Sequence, residues 1–459
     1  MMARPATAGV GRRTAAWALA LALGSAACGD CRGRRELAAT PDDAAQDAPG
    51  ASATEGGRGD GGADLPSRCE ATTAELELEG GASLEVGDAH LTPAGLALSA
   101  TIERDGTRVG VVFLADPALA KVRTLDLGDL AGGELAPRLF AHEGAVLVAS
   151  YVRGSTPKSL GNRPGAARVV ATRTLAVAEL GQERATPLFR LSQQADDSLA
   201  FDLVMTGKAS GLVAWDEDSE RVVRGVVKVA SFADGRVASG AVVTPYETDA
   251  DSPALLRAVD GQLTLAWLSR DVLASQDGGE KGAPEPDRQG EYLETAGEER
   301  ARQWVQLAPL DGAGKLSGPI LSATPRARSH TTSFELAPAA AGGVDVYVYD
   351  AVLRGEREGA RLLRVPVRGG KSLAAEELLP GGVGAAPSVL GPGLVGFVDL
   401  AERSMLFSST GGGRALTREP LARGGRFVAS AAGALYSVSV EVGADGGPGR
   451  AWLRRHRCP

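Results

Sequence analysis

Histidine, cysteine and lysine are scarce in this chain. Its 459 residues include four His, four Cys and seven Lys, and aromatic residues make up 4%. The histidines (His90, His142, His330, His456) stand apart, with no pair at ligand spacing and no Cys-x-x-Cys, so no metal centre is indicated. There is no Gly-x-Ser-x-Gly elbow and no phosphate loop, and no cofactor is implied. No apolar run approaches the roughly 20 residues of a spanning helix, which excludes a polytopic membrane protein. Basic blocks are also missing. The formal net charge is −8, and Arg454-Arg455-His456-Arg457 is the one short basic cluster outside the first 68 residues, so nucleic acid is excluded as a partner. What is abundant is Gly (61) and Pro (25), with Arg far ahead of Lys. That composition is loop-rich without being low-complexity, and typical of a GC-rich bacterial genome.

Residues 1–27 have the layout of an export signal. Arg4, Arg12 and Arg13 precede the apolar stretch Ala15–Leu23, which is too short to span a bilayer. Ser25-Ala26-Ala27-Cys28 resembles a bacterial lipobox, departing from the pattern at Ser25, where Leu is usual. The resemblance implies that Cys28 becomes a lipidated N-terminus, anchored by acyl chains at about 0.8 kcal/mol per buried methylene. Gly29 after the cysteine, rather than Asp, points to the outer membrane of a Gram-negative cell, on its periplasmic or its surface face. Residues 28–68 lack aromatics and carry few large aliphatics, so they read as a disordered tether reaching roughly 35 Å. Cys31 beside the lipid site has no assigned role.

From residue 69 onward, short period-two runs separated by Gly, Asp and Pro predict an all-β domain over 69–459. A unit recurs: an apolar strand often opened by Pro, a turn, a glycine, then an alternating strand. Ser252-Pro253-Ala254-Leu255-Leu256 leading through Asp260-Gly261 to Leu263–Trp267 is the clearest copy. Pro137–Phe140, Pro187–Leu191, Ser333–Leu336, Pro387–Leu390 and Phe427–Ala429 open others. Third strands begin alike at Gly165, Ala301, Gly359 and Gly449, and fourth strands are expected at Val122–Leu127, Val226–Phe232 and Leu373–Leu379. A mean spacing of about 56 residues suits a four-stranded blade, predicting a β-propeller of seven blades, with six the alternative. The last copy lacks its outer strand. Ala74–Glu79 supplies it, closing the ring and bringing Cys69 beside Cys458 for a disulfide. Such a bond over about 390 residues contributes roughly 5 kcal/mol in the chain-entropy view. Signal and repeat together resemble the bacterial lipoproteins that carry a C-terminal β-propeller, which implies an address and a fold.

Meander topology puts the second-to-third-strand loops on the same face as the blade-to-blade connections, and here those loops are long. Arg153, Lys158, Asp271, Asp277, Lys281, Asp287, Arg288, Tyr292, Arg354 and Arg357 are therefore the candidate binding-face residues. Ser275-Gln276-Asp277-Gly278-Gly279 resembles the opening of the Asp-box of sialidase-type propellers, with Gly282 where Trp belongs. The run Asp216–Glu220 lacks the spacing of a calcium loop and reads as a solvated turn. Trp215, Trp267, Trp304 and Trp452 fall in strands and are expected to pack between blades. The expected function is a monomeric envelope lipoprotein, tethered to the membrane through Cys28, that binds a protein or glycan on its long-loop face without catalytic signature. An exported carbohydrate-active hydrolase or lyase of sialidase-like type is the alternative.

Overall fold

The computed structural model describes residues 69, 71–159, 167–194, 200–218, 225–271, 303–326, 329, 331–339, 342–351, 360–383, 387–399, 402–408, 415–419, 421, 425–431, 433–441 and 449–458. All lie in the second of two compact units, Met1–Gly59 and Asp60–Pro459. The expected lipidation site Cys28, and Cys31, lie outside the described residues.

This unit is a β-propeller of seven antiparallel sheets. Blade 1 runs Glu85–Thr92, Gly95–Arg104, Thr107–Ala115 and Val122–Asp126, from the axis outwards. Blade 2 is Arg138–His142, Ala145–Ser159, Ala167–Leu180 and Ala185–Gln194. Blade 3 is Phe201–Gly207, Ser210–Asp218 and Gly225–Ala233, with its outer strand split into Arg236–Val237 and Ala241–Val242. Blade 4 is Thr248–Arg257, Leu263–Asp271, Gln303–Leu310 and Leu321–Ser322. Blade 5 is Thr331–Pro338, Val344–Ala351 and Ala360–Arg368, then Lys371–Ser372 and Glu376–Val383 on the same edge. Blade 6 is the shortest, with Ser388–Gly391, Leu394–Val398, Ser404–Ser408 and Ala415–Arg418. Blade 7 is Arg426–Ala431, Ala434–Glu441 and Arg450–Arg457, completed by Ala71–Leu78. Val226–Phe232, expected as a fourth strand, belongs instead to the third strand of blade 3, and Pro187–Leu191, expected to open a blade, lies in the outer strand of blade 2. The alternation of Val226–Phe232 is the same in either position, and its pairing with Ser210–Asp218 decides the matter.

Period two explains the packing. Successive side chains of a strand point to opposite faces, so each strand serves two seams. On Val344–Ala351, Val344, Val346 and Val348 enter the core between blades 4 and 5, while Tyr347 enters the one between blades 5 and 6. The described core accordingly divides into seven clusters, one per seam. Trp267 and Trp304 are fully buried and Trp215 nearly so, as expected of inter-blade packing. Trp452 departs from that expectation. It is half-buried, with the guanidinium groups of Arg450 and Arg454 at 5.0 and 5.6 Å from its ring.

Ring closure follows the expected scheme. Ala71–Leu78 pairs antiparallel with Arg450–Arg457, aligning Glu77 with Trp452 and Leu78 with Ala451. Leu78 packs in the seam between blades 7 and 1, and Glu77 accepts two hydrogen bonds from Arg450, at 2.8 and 2.6 Å. Cys69 and Cys458 form a buried disulfide spanning 389 positions, and the Cys69 amide donates to Glu419 Oε2 at 3.0 Å. His456, 2% exposed, joins the closure from within: Nε2 lies 2.7 Å from Ser437 Oγ and Nδ1 3.4 Å from Thr72 Oγ1.

The two faces of the disc differ. On one lie the first-to-second and third-to-fourth turns, such as Glu143-Gly144 (φ 50° and 82°) and Asp234-Gly235 (φ 50° and 76°). Positive φ at both positions is what a two-residue hairpin needs, and Gly supplies it without strain. The chain enters the propeller at this turn face, where Ala71 sits opposite Arg457. The other face receives the inner strands and carries the second-to-third-strand connections, the largest running from Asp271 to Gln303.

Candidate functional site in the central channel

The first strand of each blade lines the axis of a propeller. At one register in these strands, the residue just before an apolar anchor is Asp88, Arg138, Asp202, Ala254, Glu335, Ser388 and Arg426, in blade order. Within their own blades Arg138 faces Ala149, Asp202 faces Ala214, Ala254 faces Ala266, Glu335 faces Tyr347, Ser388 faces Gly396 and Arg426 faces Val438. Asp88 sits in a bulge between Val86 and Ala89, its amide bonded to Ser99 Oγ at 2.9 Å.

The charged members reach forward to the next blade. Asp88 Oδ2 accepts the Leu139 amide at 3.1 Å and Arg138 Nε at 3.3 Å. Arg138 donates through NH1 to the Phe201 carbonyl at 2.7 Å and approaches Asp202 Oδ1 at 3.1 Å. Asp202 Oδ2 in turn accepts the Leu255 amide at 2.6 Å, and Arg426 donates to the Val86 carbonyl at 2.6 Å. The result is an arc of alternating charge, Arg426–Asp88–Arg138–Asp202, over blades 7, 1, 2 and 3. Burial works against the Arg138 guanidinium, and Asp202 and Asp88 more than offset it, holding its pKa above the ordinary range. Phe140 and Phe201 place their rings 5.3 and 5.8 Å from the same guanidinium.

Glu335 stands outside this arc, between the small residues Ala254 and Ser388. Among the described residues it has no hydrogen bond or ion pair. Its side chain keeps open surface towards the channel while protein surrounds it on the other sides. That surrounding protein, poorly able to solvate charge, pushes the carboxyl up to about 7; Arg138 opposes the rise, and Asp88 and Asp202 add to it. Two residues along, on the same face of the strand, Ser333 Oγ is buried without a hydrogen-bond partner. Towards the turn face, Arg257 of blade 4 lies 3.2 Å from His142 Nε2 of blade 2, bridging past the inner strand of blade 3.

Of the residues singled out on the long loops, Arg153 is described: it is exposed and paired with Glu134. Lys158 and Asp271 occupy strand ends whose side chains lie outside the described set, with the Asp271 backbone opposite Thr248. Asp277, Lys281, Asp287, Arg288, Tyr292, Arg354 and Arg357 lie outside the described residues, as does the Asp-box-like segment. The acidic run is corrected in its described part. Asp216 is buried in a strand and accepts the Ser252 amide at 3.4 Å, and Glu217 holds Trp215 Nε1 at 3.1 Å and Lys228 Nζ at 2.5 Å. Asp216 joins blade 3 to blade 4 and Glu217 ties two strands within blade 3, where a solvated turn was expected. The ring itself was missed, although its signal was present: a charged residue just before the apolar anchor in five of the seven inner strands.

No family model matches the chain, and no curated protein matches it. Among solved structures it is similar to the polysaccharide lyase Uly1, at 9% identity and a TM-score of 0.48, covering 84% of this chain and 100% of that one. It is also similar to an α-L-arabinanase from Penicillium chrysogenum (11%, 0.44, covering 86% and 96%). A third is the WD40 β-propeller domain of Doa1 (11%, 0.43, covering 84% and 97%). The fold is assigned on the strand pairings above, and no activity is carried over from these proteins.

Proposed function

We infer that this chain is an exported, lipid-anchored envelope protein whose propeller holds a protein or glycan ligand on the loop face, over the mouth of the channel. The observation that carries the reading is the segregation of the two faces. Tight turns, the disulfide and the chain's entry at Cys69 share one face. The long second-to-third-strand connections and the entry of the charged inner strands share the other.

Lysine footprinting tests this for protein and glycan ligands alike. Lys158 and Lys281 belong to loop-face connections, whereas Lys121, Lys208, Lys315 and Lys371 lie at turn-face connections. Acetylation of intact envelopes and of the purified full chain should show Lys158 and Lys281 protected in the envelope and the other four equally reactive in both. Protection of the turn-face lysines, or of none, overturns the reading. Incorporation of palmitate, lost in Cys28→Ser, tests the anchor separately.

The alternative, a carbohydrate-active hydrolase or lyase, is favoured by one feature: Glu335 titrates near neutrality in the channel, as a general acid or base would. Against it, Arg138 and Arg426 are engaged by carboxylates or backbone carbonyls. Release of reducing or unsaturated ends from envelope polysaccharide, abolished in Glu335→Gln, would establish it.

A further inference from the structure

We propose that the open arc of the inner ring, Ala254–Glu335–Ser388, binds a protonated organic amine, with Glu335 as its counter-ion. The argument starts from charge alternation. Over blades 7, 1, 2 and 3 each ring carboxylate has a ring arginine for a neighbour, and two carboxylates balance two guanidinium groups. At blades 4, 5 and 6 the pattern breaks, and Glu335 stands between a methyl group and a hydroxymethyl group, where a cationic side chain would have completed it.

Two further observations point to a missing ligand. Ser333 Oγ, on the same face of the strand and nearer the loop-face end, is a buried hydroxyl without a partner. The Ser388 hydroxyl also has no hydrogen bond among the described residues. A carboxylate and two hydroxyls suit the three N–H donors of an ammonium group. They fall short of the six or more oxygens that calcium requires, and no described group of three or more metal-ligating side chains is assembled. The inference deepens the binding reading, in that the ligand enters from the loop face, but does not depend on the lipid anchor.

Binding is coupled to a proton. The protonated Glu335 carboxyl must release its proton to the buffer to pair with the ammonium. The other charged groups that act on it are Arg138, which favours the ionised carboxylate, and Asp88 and Asp202, which oppose it; Arg426 of blade 7 and Asp251 of blade 4 complete the charged groups on the neighbouring inner strands. With Glu335 titrating near 7, the affinity for an amine that stays protonated over this range, such as spermidine, should rise about tenfold between pH 6 and pH 8.

The test is calorimetry on the full chain with spermidine and with the glucosamine dimer, each beside its N-acetylated form, in buffers of differing ionisation enthalpy. The expected result is binding of one or both amines, loss of at least tenfold on N-acetylation, release of close to one proton at pH 6, and loss of binding in Glu335→Gln. Which amine binds separates a polyamine from an amino sugar. A second variant, Ser388→Arg, supplies the cation internally and should also block the amine. Equal binding of the acetylated forms, affinity retained in a folded Glu335→Gln, or no binding of either amine overturns the proposal. Footprinting of Lys158 and Lys281 is read independently, so failure here is distinguishable from failure of the loop-face reading.

Discussion

The inner ring has two arcs of opposite design. In the paired arc, Arg426, Asp88, Arg138 and Asp202 spend their hydrogen-bonding capacity on each other and on the backbone of the next blade. In the open arc, Glu335 has none of these bonds. The paired arc begins in blade 7, the one sheet assembled from both ends of the chain, and continues through the three blades that follow. Inter-blade stitching and the disulfide therefore act on the same side of the ring. The lesson is that a buried charge in a β-propeller is structural where its neighbours answer it, and available for a ligand where they do not.

The comparison can be broken most severely at the closure. Reduction of Cys69–Cys458, or Cys458→Ser, should cost on the order of 5 kcal/mol by restoring loop entropy to the unfolded chain, seen as a fall in the denaturation midpoint with and without reductant. Next comes the paired arc. Arg138→Met leaves Asp88 and Asp202 facing each other and should cost about 2–3 kcal/mol, below the 3–5 of a fully buried pair because the Arg138 side chain is 39% exposed. Urea unfolding reads this, and a cost under about 0.5 kcal/mol would mean the arc is not a stitch.

In the open arc the sign reverses. The folded-state pKa of Glu335 is raised from 4.5 to about 7, so its stabilising contribution is complete below 4.5 and is lost as pH rises through 7. Glu335→Gln should remove this slope, gaining on the wild type between pH 5 and pH 8 by on the order of 1–2 °C in Tm. A gain at acid pH instead would show that Glu335 is answered by a partner. Smallest of all, Ser388→Arg should leave Tm nearly unchanged at pH 5 and return the Glu335 titration towards the ordinary carboxylate range, flattening the same profile.

Histidine at the closure gives an independent acid limb. Burial, with Arg454 adding to it, lowers the His456 pKa, so its neutral form belongs to the fold. Its contribution is present above 6.5 and lost as pH falls through the lowered value. His456→Gln should soften the acid side of the Tm profile and leave the alkaline side alone.

Much of this was legible in the linear chain. Alternation from Leu263 to Trp267, the recurring Pro-opened strands and the orphan outer strand of the last repeat gave blade, number and closure, because period two and turn chemistry are local properties. The pairing of Cys69 with Cys458 was legible because antiparallel neighbours bring strand end to strand start. The strand order within blade 3 was not, since Val226–Phe232 alternates equally well in third or fourth place. Nor was the role of Asp216, whose bond to the Ser252 amide joins residues 36 positions apart.

The sequence by itself determined the β class, the repeat and the termini that meet, since each rests on residue type at short or fixed spacing. The charged ring was decided by the tertiary structure. Asp88, Arg138, Asp202 and Glu335 are single residues in separate repeats, and nothing local distinguishes the carboxylate that holds an amide from the one that faces the channel unanswered. Their meaning comes from which blade stands next to which, and at what height: the physical reason is that charge pairing acts over a few ångströms of space, whatever the distance along the chain.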